Sequence, residues 1–177
     1  MTSRAGAAPY VYLKAGEIFM SSGPACVTTV LGSCVAVTMF NERRGIWAIC
    51  HALLPREDGR RNGDGDDFKY VDSSIGRMLK KFEKFMVGRG EIDAKLFGGA
   101  DMFGAGRAPE LSTVGAQNVK AALETLEKEG LAVSACDVGG RSGRKLYYLI
   151  PGNKVFVKRL DRLGPCPSGR GNKKQRG

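Results

Sequence analysis

Residues 25–54 read ACVTTVLGSCVAVTMFNERRGIWAICHALL, and their pattern decides the fold. Ala25 to Leu31 is rich in Val and Thr, whose branched side chains suit a pleated surface, and it reads as a strand. After a Gly-Ser pair, Cys34 to Phe40 (CVAVTMF) is a continuous β-favouring apolar run of the length of a strand buried on both faces. Asn41 to Gly45 turns the chain. Gly45 to Leu54 is a second buried run, in which period-two alternation puts Trp47, Ile49, His51 and Leu53 on one side and Cys50 on the other.

Working outward, Tyr10 to Phe19 reads as a short strand with a turn. Beyond Pro55, residues 56–67 contain no apolar side chain and are expected as an exposed loop. From Phe68, the apolar positions Val71, Ile75, Met78, Leu79, Phe82, Phe85 and Met86 recur at steps of three and four, one stripe of an amphipathic helix ending near Gly88. Ile92 to Phe97 is a strand running into the glycine-rich loop around Gly98, Gly99, Gly104 and Gly106. Val114, Val119, Leu123 and Leu126 mark a second helix closed by Gly130. Leu131 to Val138, Lys145 to Ile150 and Lys154 to Leu160 complete the strands, the last two joined by Pro151-Gly152-Asn153. The expectation is an α+β fold: about seven strands in a mixed β-sheet, layered with two main helices.

A chain of 177 residues is about one domain's worth, and 42% hydrophobic residues exclude a wholly disordered chain. No window approaches the ~20 apolar residues that span a bilayer, and the N-terminus lacks a secretory pattern, so a soluble cytoplasmic protein is expected. Five cysteines with no C-x-x-C pair argue against a disulfide framework or a four-cysteine zinc site. The net charge of +10 invites a nucleic-acid reading, but residues 164–177 carry Arg170, Lys173, Lys174 and Arg176 without an acid, which leaves the rest at +6. Residues 1–163 are expected as a single domain and 164–177 as a basic, disordered tail. The remaining excess lies partly on the first helix (Arg77, Lys80, Lys81, Lys84, Arg89), where a solvated face is the default and a docking surface for an acidic partner the sharper alternative.

His51 is the only histidine, so any step needing a side chain that titrates near neutrality uses it. Cys34 follows Gly-Ser at a loop-to-strand junction, where its sulfur can lie beside backbone N–H groups that would hold an oxyanion. A thiol with an ordinary pKa of about 8.5 needs an adjacent imidazole to become a nucleophile. Periodicity alone nonetheless favours packing over chemistry for Cys34, and a structural role for a lone buried histidine. Asp64, Asp66 and Asp67 lack the rest of a calcium loop. The glycines around Gly98 lack the lysine of a phosphate loop and read as structural, shaping a groove. Asp137, Gly139, Gly140 and Arg144 read as a tight turn with an internal ion pair, at the rim of the site.

Several separated motifs resemble one family. T-x-x-L-G-S-C-V-A-V (Thr28 to Val37), G-I-W-A-I-C-H-A-L-L-P (Gly45 to Pro55), F-G-G-A-D-M-F (Phe97 to Phe103), G-x-x-N (Gly115 to Asn118) and D-V-G-G-R-S-G-R-K (Asp137 to Lys145) resemble the CheD family, bacterial chemoreceptor glutamine deamidases, over residues 10–160. The resemblance implies a cysteine-hydrolase-like fold and a triad of Cys34, His51 and Thr28, with Thr29 adjacent to the last. It also implies an oxyanion site of backbone N–H groups around Gly32 and Ser33, and no metal or cofactor. The implied reaction converts receptor glutamines to glutamate through a Cys34 thioester with His51 as acid and base, with receptor methylester hydrolysis as a side activity. Implied partners are methyl-accepting chemotaxis receptors and a CheC-type response-regulator phosphatase, without membrane insertion. The alternatives are a non-catalytic module docking on those partners and a basic nucleic-acid binder.

Overall fold

The computed structural model describes residues 8–56, 68–101 and 113–160. The loop expected over residues 56–67 lies outside them but for Arg56, as do Asp64, Asp66, Asp67, Gly104, Gly106, Cys166 and the tail 164–177.

The described residues form nine strands and two α-helices: β1 (Tyr10–Tyr12), β2 (Ile18–Ser21), β3 (Ala25–Leu31), β4 (Val35–Asn41), β5 (Ile46–Ala52), α1 (Val71–Lys84), β6 (Asp93–Gly98), α2 (Val114–Lys128), β7 (Val133–Val138), β8 (Arg144–Ile150) and β9 (Lys154–Arg159). They build two sheets rather than one. A five-stranded sheet has the order β2-β5-β4-β6-β7 and a four-stranded sheet the order β1-β3-β8-β9, each antiparallel but for the parallel pairs β6·β7 and β1·β3. The stretch expected as one strand over Tyr10 to Phe19 divides into β1 and β2, which pair in different sheets.

The layers follow from strand alternation. One face of the five-stranded sheet (Val35, Val37, Met39, Ala48, Cys50, Ala52, Leu96) packs against the helices through Val71, Ile75, Met78, Leu79 and Phe82 of α1 and Ala121, Ala122 and Leu126 of α2. The other face (Ala36, Trp47, Ile49, Phe97) meets Val27, Leu31, Leu146, Tyr148 and Ile150 of the smaller sheet. β4 and β5 are therefore buried on both faces, as their unbroken apolar runs require. Burying each large apolar side chain stabilises by about 1.5–3 kcal/mol. Trp47 is central: fully buried, edge-on to Tyr148 at 5.8 Å, with Nε1 donating to the Gly23 carbonyl at 2.8 Å. The outer face of the smaller sheet carries no helix among the described residues, which leaves Tyr10 at 62% and Tyr12 at 55% exposure.

Two helix stripes differ from expectation. α1 ends at Lys84, and the chain turns through a left-handed Met86 (φ 54°), so Phe85 and Met86 point outward while Val87 takes the buried place. In α2 the buried positions are Gly115, Asn118, Ala121, Ala122 and Leu126, whereas Val114 and Leu123 are each 44% exposed. The first inward position is a glycine because the helix there lies directly against the loop after β6. A Cβ on Gly115 would sit 2.6 Å from the Gly99 carbonyl oxygen and 2.7 Å from that of Ala100.

Candidate active site

Gly32, Ser33 and Cys34 carry the chain from β3 in one sheet to β4 in the other, at the end of the sandwich where β5 also finishes. Ala36 pairs with His51 across β4 and β5. Cys34 lies two residues before Ala36 and packs on the inter-sheet core, so the thiol and the imidazole share the face between the sheets. Cys50 points the other way, into the helix-side core.

The hydroxyl in contact with the imidazole is that of Thr29. Its Oγ1 lies 2.8 Å from His51 Nδ1 and donates to the Leu13 carbonyl at 2.8 Å. A hydroxyl has one proton; with that proton on Leu13 O, Thr29 accepts from the ring, which assigns the hydrogen to Nδ1 and leaves a lone pair on Nε2. Nε2 is buried with no hydrogen-bond partner among the described residues. Thr28, expected in this place, does not reach the histidine: its Oγ1 donates to Leu146 O at 2.9 Å. Inward positions of β3 are 25, 27, 29 and 31, which share the core with Val27 and Leu31, so Thr28 faces away.

Burial sets the resting protonation. It pulls the His51 imidazole below its ordinary 6.5, opposed by the Leu13 carbonyl and by Glu17. It also holds the Cys34 thiol above its ordinary value, opposed by the residue's own backbone N–H. Both shifts favour the uncharged forms, a neutral thiol at Cys34 and a neutral imidazole at His51.

The Gly32–Cys34 turn is tied on its carbonyl side at every residue. Gly32 O accepts from Ala100 N at 2.8 Å, Cys34 O from Gly99 N at 2.7 Å, and Ser33 O from Asn118 Nδ2 at 3.0 Å. The same Asn118 nitrogen donates to Leu53 O at 2.8 Å, two residues beyond His51. Gly98 is required: with φ at +108°, it has a neighbour, the Cys34 carbonyl oxygen, that would collide with any Cβ. Arg144 is fully buried and donates to the Gly98 carbonyl and, at 2.7 Å, to that of Gly139, while its ion pair with Asp137 spans 3.2 Å. The expected Asp137–Arg144 turn therefore braces the Gly98 loop behind Cys34. Nothing local in the sequence gives Asn118 a role, because its two partners lie 85 and 65 residues away.

A concavity of 1030 Å³ lies at the opposite end of the sandwich around Glu42, Asp93, Lys95 and Asn153 and contains neither Cys34 nor His51. A groove of 580 Å³, lined by Gly99, Val119, Leu123, Gly139 and Gly140, adjoins the Gly32–Cys34 turn through Gly99.

Similarity to known proteins agrees with these motifs. The family profile described as "CheD chemotactic sensory transduction" matches residues 53–159. The chain is 49% identical over 162 residues, 92% of its length, to the probable chemoreceptor glutamine deamidase CheD 2 of Geobacter sulfurreducens, of which 97% is covered. It is 38% identical to the probable chemoreceptor glutamine deamidase CheD of Maridesulfovibrio salexigens (86% of this chain, 92% of that one) and 36% identical to that of Pyrococcus abyssi (82% and 88%). Among solved structures, the hypothetical protein YfiH of Bacillus licheniformis aligns over 70% of this chain and 49% of its own, at 12% identity and a TM-score of 0.45. The protein whose crossover turn and single histidine are described above belongs to the CheD family.

Proposed function

We propose that this protein is a protein-glutamine deamidase acting on methyl-accepting chemotaxis receptors, with Cys34 as nucleophile, His51 as acid and base, and Thr29 as the residue that orients the imidazole. The observation that carries the reading is the Thr29–His51 contact, which leaves Nε2 unprotonated on the face shared with Cys34. As the sulfur attacks the carboxamide carbon of the substrate glutamine, its proton passes to Nε2. Backbone N–H groups of the Gly32–Cys34 turn hold the oxyanion. The imidazolium gives its proton to the departing nitrogen and ammonia leaves, with the acyl group held as a thioester. Water then attacks the thioester, giving its proton to Nε2, and the sulfur leaves with that proton to restore the thiol and release glutamate. Because a methyl ester presents the same acyl carbon, the same groups hydrolyse receptor methylesters. Each conversion adds one negative charge to a receptor helix, which biases a two-state receptor.

No helix of the described residues is long and apolar enough to cross a membrane, and this reading places the enzyme in the cytoplasm beside the receptors' signalling domains. It includes a CheC-type phosphatase as a second partner, a single catalytic domain over residues 1–163 and a basic tail over 164–177. The test is peptide mass spectrometry of receptor cytoplasmic fragments incubated with the protein, beside Cys34→Ser and His51→Ala. Glutamine-to-glutamate conversion by the wild type alone is expected. Binding without conversion would overturn the reading in favour of a docking module.

A further inference from the structure

Asn118 is fully buried, yet it belongs to α2 and not to either strand that carries the chemistry. One nitrogen, Nδ2, serves two carbonyls: Ser33 O, immediately before the nucleophile, and Leu53 O, just past the histidine. In a trans peptide plane the C=O and N–H vectors are antiparallel, so whatever holds a carbonyl also aims the next residue's N–H. The Ser33 carbonyl turned onto Asn118 therefore directs the Cys34 N–H to the opposite side. The Gly32 carbonyl, held by Ala100 N, does the same for the Ser33 N–H. The helix cannot drift from this arrangement, because Gly115 packs directly on the carbonyls of Gly99 and Ala100.

We propose that Asn118 is a positioning residue that acts through the Ser33–Cys34 peptide: it aims the Cys34 N–H as an oxyanion donor and holds the β4 and β5 ends that carry Cys34 and His51 at a fixed separation. This rests on the deamidase reading for its chemistry but not for its geometry. The Cys34 N–H is also the group that favours the thiolate at this cysteine, so misaiming it affects the thiol even without substrate. No packing role alone predicts that coupling, since among the described residues the Asn118 amide donates to the Ser33 and Leu53 carbonyls and not to either side chain of the pair.

The experiment uses the full chain with Asn118→Asp, which keeps the shape but removes the donor, and Asn118→Ser, which is smaller and uncharged. Three quantities are compared with wild type: the pH profile of Cys34 alkylation read by peptide mass spectrometry, kcat and KM on a receptor fragment, and the melting temperature. The expected result is a fall in kcat of about 100-fold or more, the scale of losing one oxyanion donor, with KM within about threefold and the alkylation midpoint moved to higher pH. Folded variants with wild-type kcat and an unmoved alkylation profile would overturn the proposal, as would a lowered melting temperature with both readouts unchanged. If the wild type itself deamidates nothing, the deamidase reading fails while the alkylation profile still decides the role of Asn118.

Discussion

Thr29 and His51 meet across the gap between the two sheets, Oγ1 to Nδ1 at 2.8 Å, although they belong to strands that do not pair with each other. The contact exists because both residues occupy inward positions of their strands at the same end of the sandwich. It reads out as a tautomer: the threonine proton is committed to Leu13 O, so the ring hydrogen sits on Nδ1 and Nε2 keeps its lone pair.

Replacing Thr29 by Val should therefore cost activity, and replacing Thr28 by Val should not. A hydrogen bond to a charged group contributes about 1.5–3 kcal/mol, and the bond to the imidazolium formed during attack corresponds to roughly 10–150-fold in kcat. Thr28→Val removes a hydroxyl bonded to Leu146 O on the outward side of β3 and leaves kcat within about threefold of wild type. Steady-state kinetics of the two variants decides the assignment, and equal losses would refute it.

His51 has a signature in stability as well. Its folded pKa lies below the ordinary 6.5, so the unfolded chain takes up the proton first on acidification. The stability this represents is complete above about pH 6.5 and is lost as pH falls below that value toward the folded pKa. Urea denaturation from pH 8 to 5 should show this slope in the wild type and a shallower one in His51→Gln. The acid limb of kcat/KM should likewise have its midpoint below 6.5; a midpoint above it would contradict the buried, neutral imidazole.

Cys34 and Cys50 should separate cleanly in reactivity. Cys34 is partly exposed beside a base, whereas Cys50 is wholly buried in the helix-side core, where burial pushes its thiol up to about 12. Iodoacetamide at neutral pH should modify Cys34 and spare Cys50 until the protein unfolds, as read by peptide mapping. Because the folded pKa of Cys50 is raised, its contribution to stability is present below about pH 9 and declines as pH rises toward 12. Labelling of Cys50 in the folded protein would place it elsewhere.

Two glycines give opposite outcomes when replaced by alanine. Gly98→Ala puts a methyl group onto the Cys34 carbonyl at a positive φ and should destabilise by about 1–3 kcal/mol or more, with a loss of activity because the nucleophile's turn must shift. Gly76 lies within α1 with nothing within 4 Å of an added Cβ. Gly76→Ala should stabilise by up to about 1 kcal/mol through helix propensity and leave kcat unchanged. Urea denaturation with a parallel activity assay checks both, and equal effects would show that the Gly98 contact is not tight.

The sequence by itself determined the local segments of this protein and its chemical inventory. The runs VAVTMF and IWAICH can only be buried strands, the turn at Asn41 to Gly45 pairs them, and a single histidine leaves one candidate base. The spaced motifs were enough to indicate the family. Alternation along ACVTTVL, however, gives a period without a phase: Cys26 and Val30 are as apolar as Val27 and Leu31, so nothing local says whether Thr28 or Thr29 faces the core. Only the second sheet decides it, by packing β3 with positions 27, 29 and 31 turned inward. The division of β1 and β2 between two sheets and the outward turn of Leu123 likewise depend on what lies across from each segment. So does the reach of Asn118 to two distant carbonyls. The reason is physical: backbone propensity acts over a few residues, whereas a side chain's partner is chosen by which surfaces come together when the layers close, and that belongs to the whole chain.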